Sequence, residues 1–593
     1  MRRPLPLLIA SALTAALLGA APARADTGPT TLAVEGTLKV VVVDHFGEGS
    51  EHHDHDARSE RLYTVVTDAG AEIPVDVDED APANGRFRGE LVVTGAVAAA
   101  LDEDGLLPRG GSTIAEDTRA GRAAIAVAED QTAPLTVESS TVAAAVTAAA
   151  VTPIAHRAYV ARMTGVGSVD GTDAVVKTAV DGMLQYWRDE PGAISSFTRP
   201  GSNPLPEFAA PAGVTLANGC GMVDPDNEDY IGQIWNAAAA MFPIGTFNVA
   251  GNHLIVLAGE ECGNAGPVGI ANIGSSINDG GGSLLTFDPD TFDQTGAHEL
   301  GHNFGLEHAN LHSSSHPNAR FNAYLDLYSP MGLSVGSGLA LAPPALGTLY
   351  RSQLGLIGPG EAAGVALAAG QPSLQQSFSL APRDGTGGLR SILVTDPYTG
   401  TTYSIDFRAA SGRDAEAFYS YDNARLNSPY SPVYDIGVVI ERQSSTRETF
   451  LMSQTAADPD QGSFWINEVF APSGGLRVTV GSLAATSAAV TVQLAAPPAA
   501  LRTFRTKTPK IRGTARVGKT LKVTVGSWSP RPSYRYQWYA NGKKITKKGT
   551  KSSFKLTSKQ KGKRVTVKVT GRKSGYTTVT KTSGRTKKVV RRR

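Results

Sequence analysis

The chain is poor in cysteine, with only Cys220 and Cys262 among 593 residues. No cysteine follows the N-terminal leader at a lipid-attachment position, which excludes a lipid anchor there. In an exported protein a single pair is most simply one disulfide. Closing a loop of about 40 residues stabilises by roughly 4 kcal/mol in the chain-entropy model. Long apolar runs are also missing. Beyond the leader no stretch reaches the ~18 uncharged apolar residues that a membrane-crossing helix needs. The third absence is of one sign of charge. Residues 501–593 carry 30 Lys and Arg and no Asp or Glu, whereas residues 1–500 carry 26 basic and 55 acidic residues, a formal −29. The overall charge of +1 therefore hides two regions built for different partners.

Met1 to Ala25 reads as a signal peptide: Arg2 and Arg3 open it, Leu7 to Ala21 is its apolar core, and Ala23-Arg24-Ala25 is a small-x-small cleavage site. The expectation is a secreted protein, extracellular or associated with a cell wall. Its length implies several domains. Residues 26–153 read as an N-terminal β domain or propeptide, with the Val-rich LKVVVVDH and RLYTVVTD as strands. Between them lies EHHDHD. His52, His53 and His55 could bind a metal among the neighbouring carboxylates, or cap a metal elsewhere in a latent form; a polar hairpin loop is the simpler reading.

The chemistry is concentrated in HELGHNFGLEH, His298 to His308. Residues four apart share a helix face, so His298 and His302 can point at one metal ion. Glu299 lies about 100° round the helix, within reach of a water at that metal. Gly305 lets the chain leave the helix, since glycine takes positive φ at little cost. His308 can then return as a third ligand. Three neutral imidazoles with one position left over is a catalytic rather than a structural zinc arrangement. Glu299 would act as general base towards water and as acid towards the leaving amine. With three histidines as ligands, Cys220 and Cys262 are not needed as such, and no cysteine lies before residue 154 to act as a latency switch.

The spacing HExxHxxGxxH is the metzincin metallopeptidase signature. Downstream, YLDLYSPMG places Met331 in position for the methionine turn that supports such a zinc site. Together with GAHELGHNFGLEHA it resembles the gametolysin-type peptidase family, over roughly residues 155–494. The resemblance implies a secreted zinc endopeptidase of metzincin fold. Some relatives carry a metal-contacting tyrosine two residues after the methionine; here that position is Leu333, so no such tyrosine is assigned, and Tyr328 nearby has no assigned role.

The catalytic domain is expected over residues 154–360. HRAYVARM is its opening strand, DAVVKTAVDGMLQYWRDE a helix N-capped by Asp173, and GPVGIANIGSS the edge strand lining the cleft, where an extended substrate would add as a strand. NDGGGS lacks the lysine of a phosphate-binding loop. Asp288, Asp290 and Asp293 make calcium possible, but without EF-hand spacing it is unsupported. His312 and His316 read as loop residues. Residues 361–497 read as a β-sandwich, AAPPAA as a linker, and residues 498–593 as a basic module. That module resembles a bacterial immunoglobulin-like repeat, with Trp538 as core tryptophan and Asn541-Gly542 as a hairpin turn. It carries no recognised nucleic-acid motif; its basic surface suits an anionic cell-wall polymer or polysaccharide.

The fold class expected is thus multidomain: an α+β metzincin-type catalytic domain flanked by an N-terminal β domain, a β-sandwich and a C-terminal immunoglobulin-like sandwich. The expected function is an exported zinc metalloendopeptidase acting on protein or peptide substrates, with His298, His302 and His308 holding one Zn²⁺, Glu299 catalytic and Met331 in support. The alternatives are a surface-binding protein with a vestigial peptidase domain and a zinc amidase acting on peptidoglycan peptides.

Overall fold

The structure, a computed structural model, describes residues 29–591 except 46–58, 78–85, 109–111, 130, 132–133, 144–151, 202–203, 224–228, 244–246, 248, 266, 313–322, 336–340, 422–423, 427–430, 445, 454–460, 498–501, 547–548 and 575. Residues 1–28, with the expected signal peptide, and His52, His53, His55 and His316 lie outside the described residues. The chain divides into two units, 1–496 and 497–593.

The first unit is organised by one long strand. β1 (Thr31–His45) is rich in Val and Leu, and its alternate residues Leu38, Val40 and Val42 are fully or almost fully buried. It pairs antiparallel with β2 (Ser59–Thr67) over Gly36 to Asp44 and with β4 (Arg86–Val92) over Thr31 to Thr37. β3 (Glu72–Asp76), β5 (Thr113–Ala115) and β6 (Leu135–Ala143) complete this region's sheet. The region is not purely β. Helices α1 (Gly95–Glu103) and α2 (Arg119–Glu129) pack Val97, Leu101, Ala124 and Ala128 against Leu32, Leu38, Phe87 and Leu91.

The segment carrying the histidine motif contributes β7 (Ala155–Thr164), α3 (Asp173–Asp189), the short β8 (Ser196–Thr198) and β9 (Glu207–Ala209), α4 (Tyr230–Ala239), β10 (Asn252–Gly259), β11 (Pro267–Asn272), β12 (Gly281–Phe287) and α5 (Phe292–Asn303). β10 is parallel to β7 and β12, and β11 runs antiparallel to β12. In α3 the residues Val176, Val180, Met183, Leu184 and Trp187 form the buried stripe expected from their spacing. Its cap differs from expectation. Thr172 is the N-cap, accepting from the Val175 amide, while Asp173 is the first helical residue and accepts instead from the Leu205 amide. Trp187 Nε1 donates to Ala297 O at 3.2 Å, tying α3 to α5. Cys220 and Cys262 form a disulfide with Cα atoms 5.3 Å apart.

β11 was expected to be the open edge of the cleft. It is not an edge: β1 pairs antiparallel along it, from Val41 opposite Asn272 to Asp44 opposite Gly269. The N-terminal sheet and the sheet beneath the histidine motif are therefore one continuous sheet, ordered β2-β3-β6-β4-β1-β11-β12-β10-β7-β8. Apolar alternation identifies β1 as a strand; it cannot say with which strand, over 200 residues away, it pairs.

Residues after the motif build two further sheets around a shared core of Leu380, Ile392, Ile405, Val438, Val478, Val490 and Val492. One of these sheets borrows a strand. β13 (Ala309–His312), immediately after His308, pairs parallel with β14 (Thr449–Met452), so this region begins before residue 361. A buried cluster of ions ties the regions together. Arg351 Nε lies 2.7 Å from Glu361 Oε1, and Arg351 also meets Glu190; Arg383 and Arg390 reach Glu361, and Arg413 reaches Glu190.

The second unit consists of a three-stranded and a four-stranded sheet packed around Trp538, Leu521, Phe554, Val565, Val567 and Val569. Trp538 is fully buried and donates to Lys551 O at 2.8 Å. Asn541 and Gly542 both have positive φ, as a tight hairpin turn requires. Among the described residues of both units no helix is long and apolar enough to cross a membrane.

Candidate metal centre

α5 is buried along nearly its whole length, from Thr295 to Asn303. It presents His298 and His302 on one face, as their spacing dictates. Gly305 then takes φ +90°, and a Cβ there would lie 2.7 Å from Gly274 O, so a side chain is excluded both by conformation and by contact. The turn brings His308 back. His298 Nε2 and His308 Nε2 each lie 3.1 Å from His302 Nε2. Three nitrogens bound to one tetrahedral ion at about 2.05 Å would be about 3.3 Å apart.

The outward nitrogens fix the tautomers. His298 Nδ1 faces Pro330 O and Gly332 O, both at 3.1 Å, and His302 Nδ1 faces Leu306 O at 2.8 Å. Carbonyls only accept, so each Nδ1 must carry a proton and donate it. Neutral rings then point unprotonated Nε2 lone pairs at one another, which is unfavourable unless a cation stands between them. The partners of His298 are the carbonyls either side of Met331. Met331 itself is fully buried, its Sδ so close to α5 that a Cβ on Gly301 would meet it at 2.4 Å. Met331 O also accepts from the Ala309 amide, beside His308. The methionine thus packs against the helix that carries His298 and His302.

A fourth group completes the cluster, and the sequence motif did not disclose it. Asp44 Oδ2 lies 3.1 Å from Nε2 of both His298 and His302, and its Oδ1 lies 2.8 Å from His308 Nε2. The four residues are buried, and their ligand atoms all lie within 4.8 Å of one another. Burial alone would raise the Asp44 pKa. The polar groups of His308, His302 and His298 facing it favour the anion, outweigh burial and hold the carboxyl well below its usual range. Burial lowers His308 to about 3 against the opposing pull of Asp44, so its ring stays neutral. Three neutral imidazoles and one carboxylate converging on one point fit a divalent cation; the donor set suits zinc chemistry.

Glu299 is fully buried beside this cluster, and its two oxygens meet no hydrogen-bond donor among the described residues. Burial first, and then the negative charge of Asp44, push its pKa well up. It sits under β11: a Cβ on Gly269 would lie 2.0 Å from Glu299 Oε1, so only glycine lets the strand pass over this carboxyl.

The tyrosine at the site is Tyr324. Its hydroxyl donates to Asp44 Oδ1 at 2.7 Å, and its ring centroid is 4.4 Å from that of His308. Its φ of +60° is strained for a residue with a side chain. The conformation is held by its amide donating to Asn310 Oδ1 and its carbonyl accepting from the Leu333 amide. Tyr328 is buried away from the histidines, its hydroxyl donating to Asp435 O. Asn303, inside the motif, was also missed. Its Nδ2 donates to Asn272 O and Gly282 O, and its Oδ1 accepts from His253, which registers α5 against β11 and β12.

The acids that made calcium possible, without support from their spacing, do not gather. Asp288 accepts from the Asp290 amide and the Thr291 hydroxyl at the start of α5, and Asp288, Asp290 and Asp293 form no metal-ligand cluster among the described residues. His312 lies exposed at the end of β13.

No family model matches this chain, and no curated protein does. Among solved structures the chain is similar to metalloproteinase-II from Bacteroides fragilis, at 10% identity and a TM-score of 0.23, over 50% of this chain and 87% of that one. A likeness this faint leaves the reading to rest on the residues themselves.

Proposed function

We propose that the chain is an exported zinc-dependent metalloendopeptidase of metzincin type. The observation that carries this is the convergence of three imidazole Nε2 atoms, two of them fixed as lone-pair donors by backbone carbonyls behind them, with the unpartnered carboxylate of Glu299 alongside. Zinc, when bound, supplies Lewis acidity to a water and to the scissile carbonyl. Glu299 takes the proton of the attacking water and returns it to the amine nitrogen as the C–N bond breaks. A carboxyl pushed up by burial is suited to holding that proton between the two steps. Tyr324, whose hydroxyl already donates to an anionic oxygen at this point, donates to the carbonyl oxygen as charge develops there. β11 offers the backbone ladder on which an extended substrate is aligned.

The test is casein hydrolysis by the mature chain, before and after limited trypsin treatment, beside Glu299→Ala and Tyr324→Phe, with zinc assayed in each. Chelator-sensitive cleavage is expected in the trimmed wild type. Glu299→Ala should retain about one zinc and be inactive. Tyr324→Phe should lose roughly a hundredfold in kcat with little change in KM. Zinc retained in wild type with no cleavage in any form would sink the peptidase reading and leave a surface-binding protein. We also propose that the C-terminal unit, an immunoglobulin-like module in this reading, holds the enzyme to an anionic polymer.

A further inference from the structure

One sheet of the C-terminal unit sets like charges directly against one another. We propose that the outward face of its three-stranded sheet, centred on Lys522, is a binding site for a polyol-phosphate polymer, a chain of small alcohols joined through phosphates. The proposal rests on the reading of this unit as an anchor, adds the face and the ligand class, and is independent of the peptidase chemistry.

The sheet consists of β15 (Lys510–Arg512), β16 (Thr520–Thr524) and β17 (Ser553–Lys555), paired antiparallel. Side chains alternate between the two faces of a strand. Ile511, Leu521 and Phe554 point into the core around Trp538. Lys510, Arg512, Lys522 and Lys555 therefore share the opposite face, and all four are exposed. The register sets their spacing. Arg512 stands directly opposite Lys522, which places their Cβ atoms about 5 Å apart. Lys510 pairs with Thr524 and Lys555 with Thr520, so each is a diagonal neighbour of Lys522, about 7–8 Å away. Like charges directly opposite destabilise a sheet. A neighbouring carboxylate would relieve this, but the unit contains no Asp or Glu side chain. Water screens the repulsion; an anion laid across Lys522 removes it.

The ligand class follows from what the face holds and what it lacks. Three lysines supply point charges and Arg512 a planar fork, both suited to phosphate oxygens. The other outward positions are Thr520, Thr524 and Ser553, whose hydroxyls can donate to the same oxygens. None of these outward residues is aromatic. Unpaired nucleobases are held by stacking on aromatic rings, so single-stranded nucleic acid finds no platform here. The outward tyrosine Tyr539, with Lys568 over its ring at 5.2 Å, belongs to the four-stranded sheet. Cations one strand apart match a chain charged in every short repeat. A polysaccharide with one carboxylate every second ring spaces its charges more widely. A polyol-phosphate chain has the charge density and no ring to stack.

The experiment measures binding of the full mature chain to immobilised poly(glycerol phosphate) at about 0.15 M salt. All forms carry Glu299→Ala, so that self-digestion cannot intervene. Arg512→Gln with Lys522→Gln is compared with Arg535→Gln with Lys568→Gln, which removes the same charge from the exposed face of the four-stranded sheet. Affinity should fall at least about tenfold for the first pair and less than about threefold for the second. Equal losses would overturn the site and leave only the net field. Without polymer, Lys522→Gln should raise the midpoint of this unit's thermal transition, because a like-charge contact is gone. A lowered midpoint would make Lys522 a structural residue and overturn the argument. Hyaluronate and single-stranded DNA should each bind at least about tenfold more weakly than poly(glycerol phosphate). Hyaluronate bound as tightly would remove the phosphate assignment, and DNA bound as tightly would give the face to nucleic acid. Dextran sulfate separates the two readings. If it is bound and poly(glycerol phosphate) is not, the ligand class falls and the anchor stands; if neither is bound, both fall.

Discussion

The two units of this chain treat charge in opposite ways. In the acidic first unit, charged groups are carried inside and set against one another: Asp44 among three histidines, Glu307 against Arg61, and Glu190 and Glu361 shared among four arginines. In the second unit no acidic residue exists, the core is Trp538 with apolar neighbours, and lysines such as Lys519, Lys522, Lys543, Lys555 and Lys568 are exposed. A buried charge needs a partner, because desolvation otherwise exceeds what it gains. A surface of one sign needs none, since water solvates it and a distant anion can be drawn to it. The first arrangement fixes geometry; the second leaves a field.

The largest way to break this contrast is inside the first unit. Arg351→Ala removes the guanidinium shared by Glu190 and Glu361 and should lower its stability by about 3 kcal/mol, the lower end of the range for breaking a buried pair, because Arg383, Arg390 and Arg413 remain. A denaturant midpoint unmoved by this change would mean the cluster contributes nothing net. Acid should come next. Burial pulls Glu361 up, but Arg351 and Arg383 outweigh it and hold its pKa at about 2, below the ordinary 4.5. The unfolded chain therefore binds the proton more readily, and the contribution is full above about pH 4.5 and lost as pH falls towards 2. The second unit, with no acidic side chain, should keep its thermal transition over the same range. Calorimetry of the whole chain should show one transition falling and one staying, and two falling together would contradict the division. The smallest effect is on binding. Attachment of the chain to dextran sulfate should weaken at least about tenfold between low salt and about 0.5 M, where charges are screened within a few ångströms. Salt-independent binding would argue for specific contacts in place of the field.

Much of the site was legible because it is local. One helical repeat places His298, Glu299 and His302, one glycine turns the chain, and His308 follows six residues after His302. The strands of β1 and β7 and the buried stripe of α3 were legible for the same reason, since a period of two or of 3.6 is written in adjacent residues. The N-cap of α3 was misplaced by one residue, because Asp173 and Thr172 can each cap and only the Leu205 amide decided which was taken elsewhere. The two helices α1 and α2 were missed: both are short and Ala-rich, and Ala is compatible with helix, strand-flanking loop or linker.

The sequence by itself determined the donor set of three histidines with an adjacent glutamate, the one-signed charge of the last 93 residues, and the pairing of the only two cysteines. These depend on residue type and near spacing alone. Only the tertiary structure decided that β11 is covered, that Tyr324 faces the histidines, and that Asp44 stands among them from 254 residues away. Strand partners and a fourth ligand are set by which distant surfaces fit when the chain closes. A valine-rich strand ending in an aspartate carries no local mark of the sheet edge it will meet.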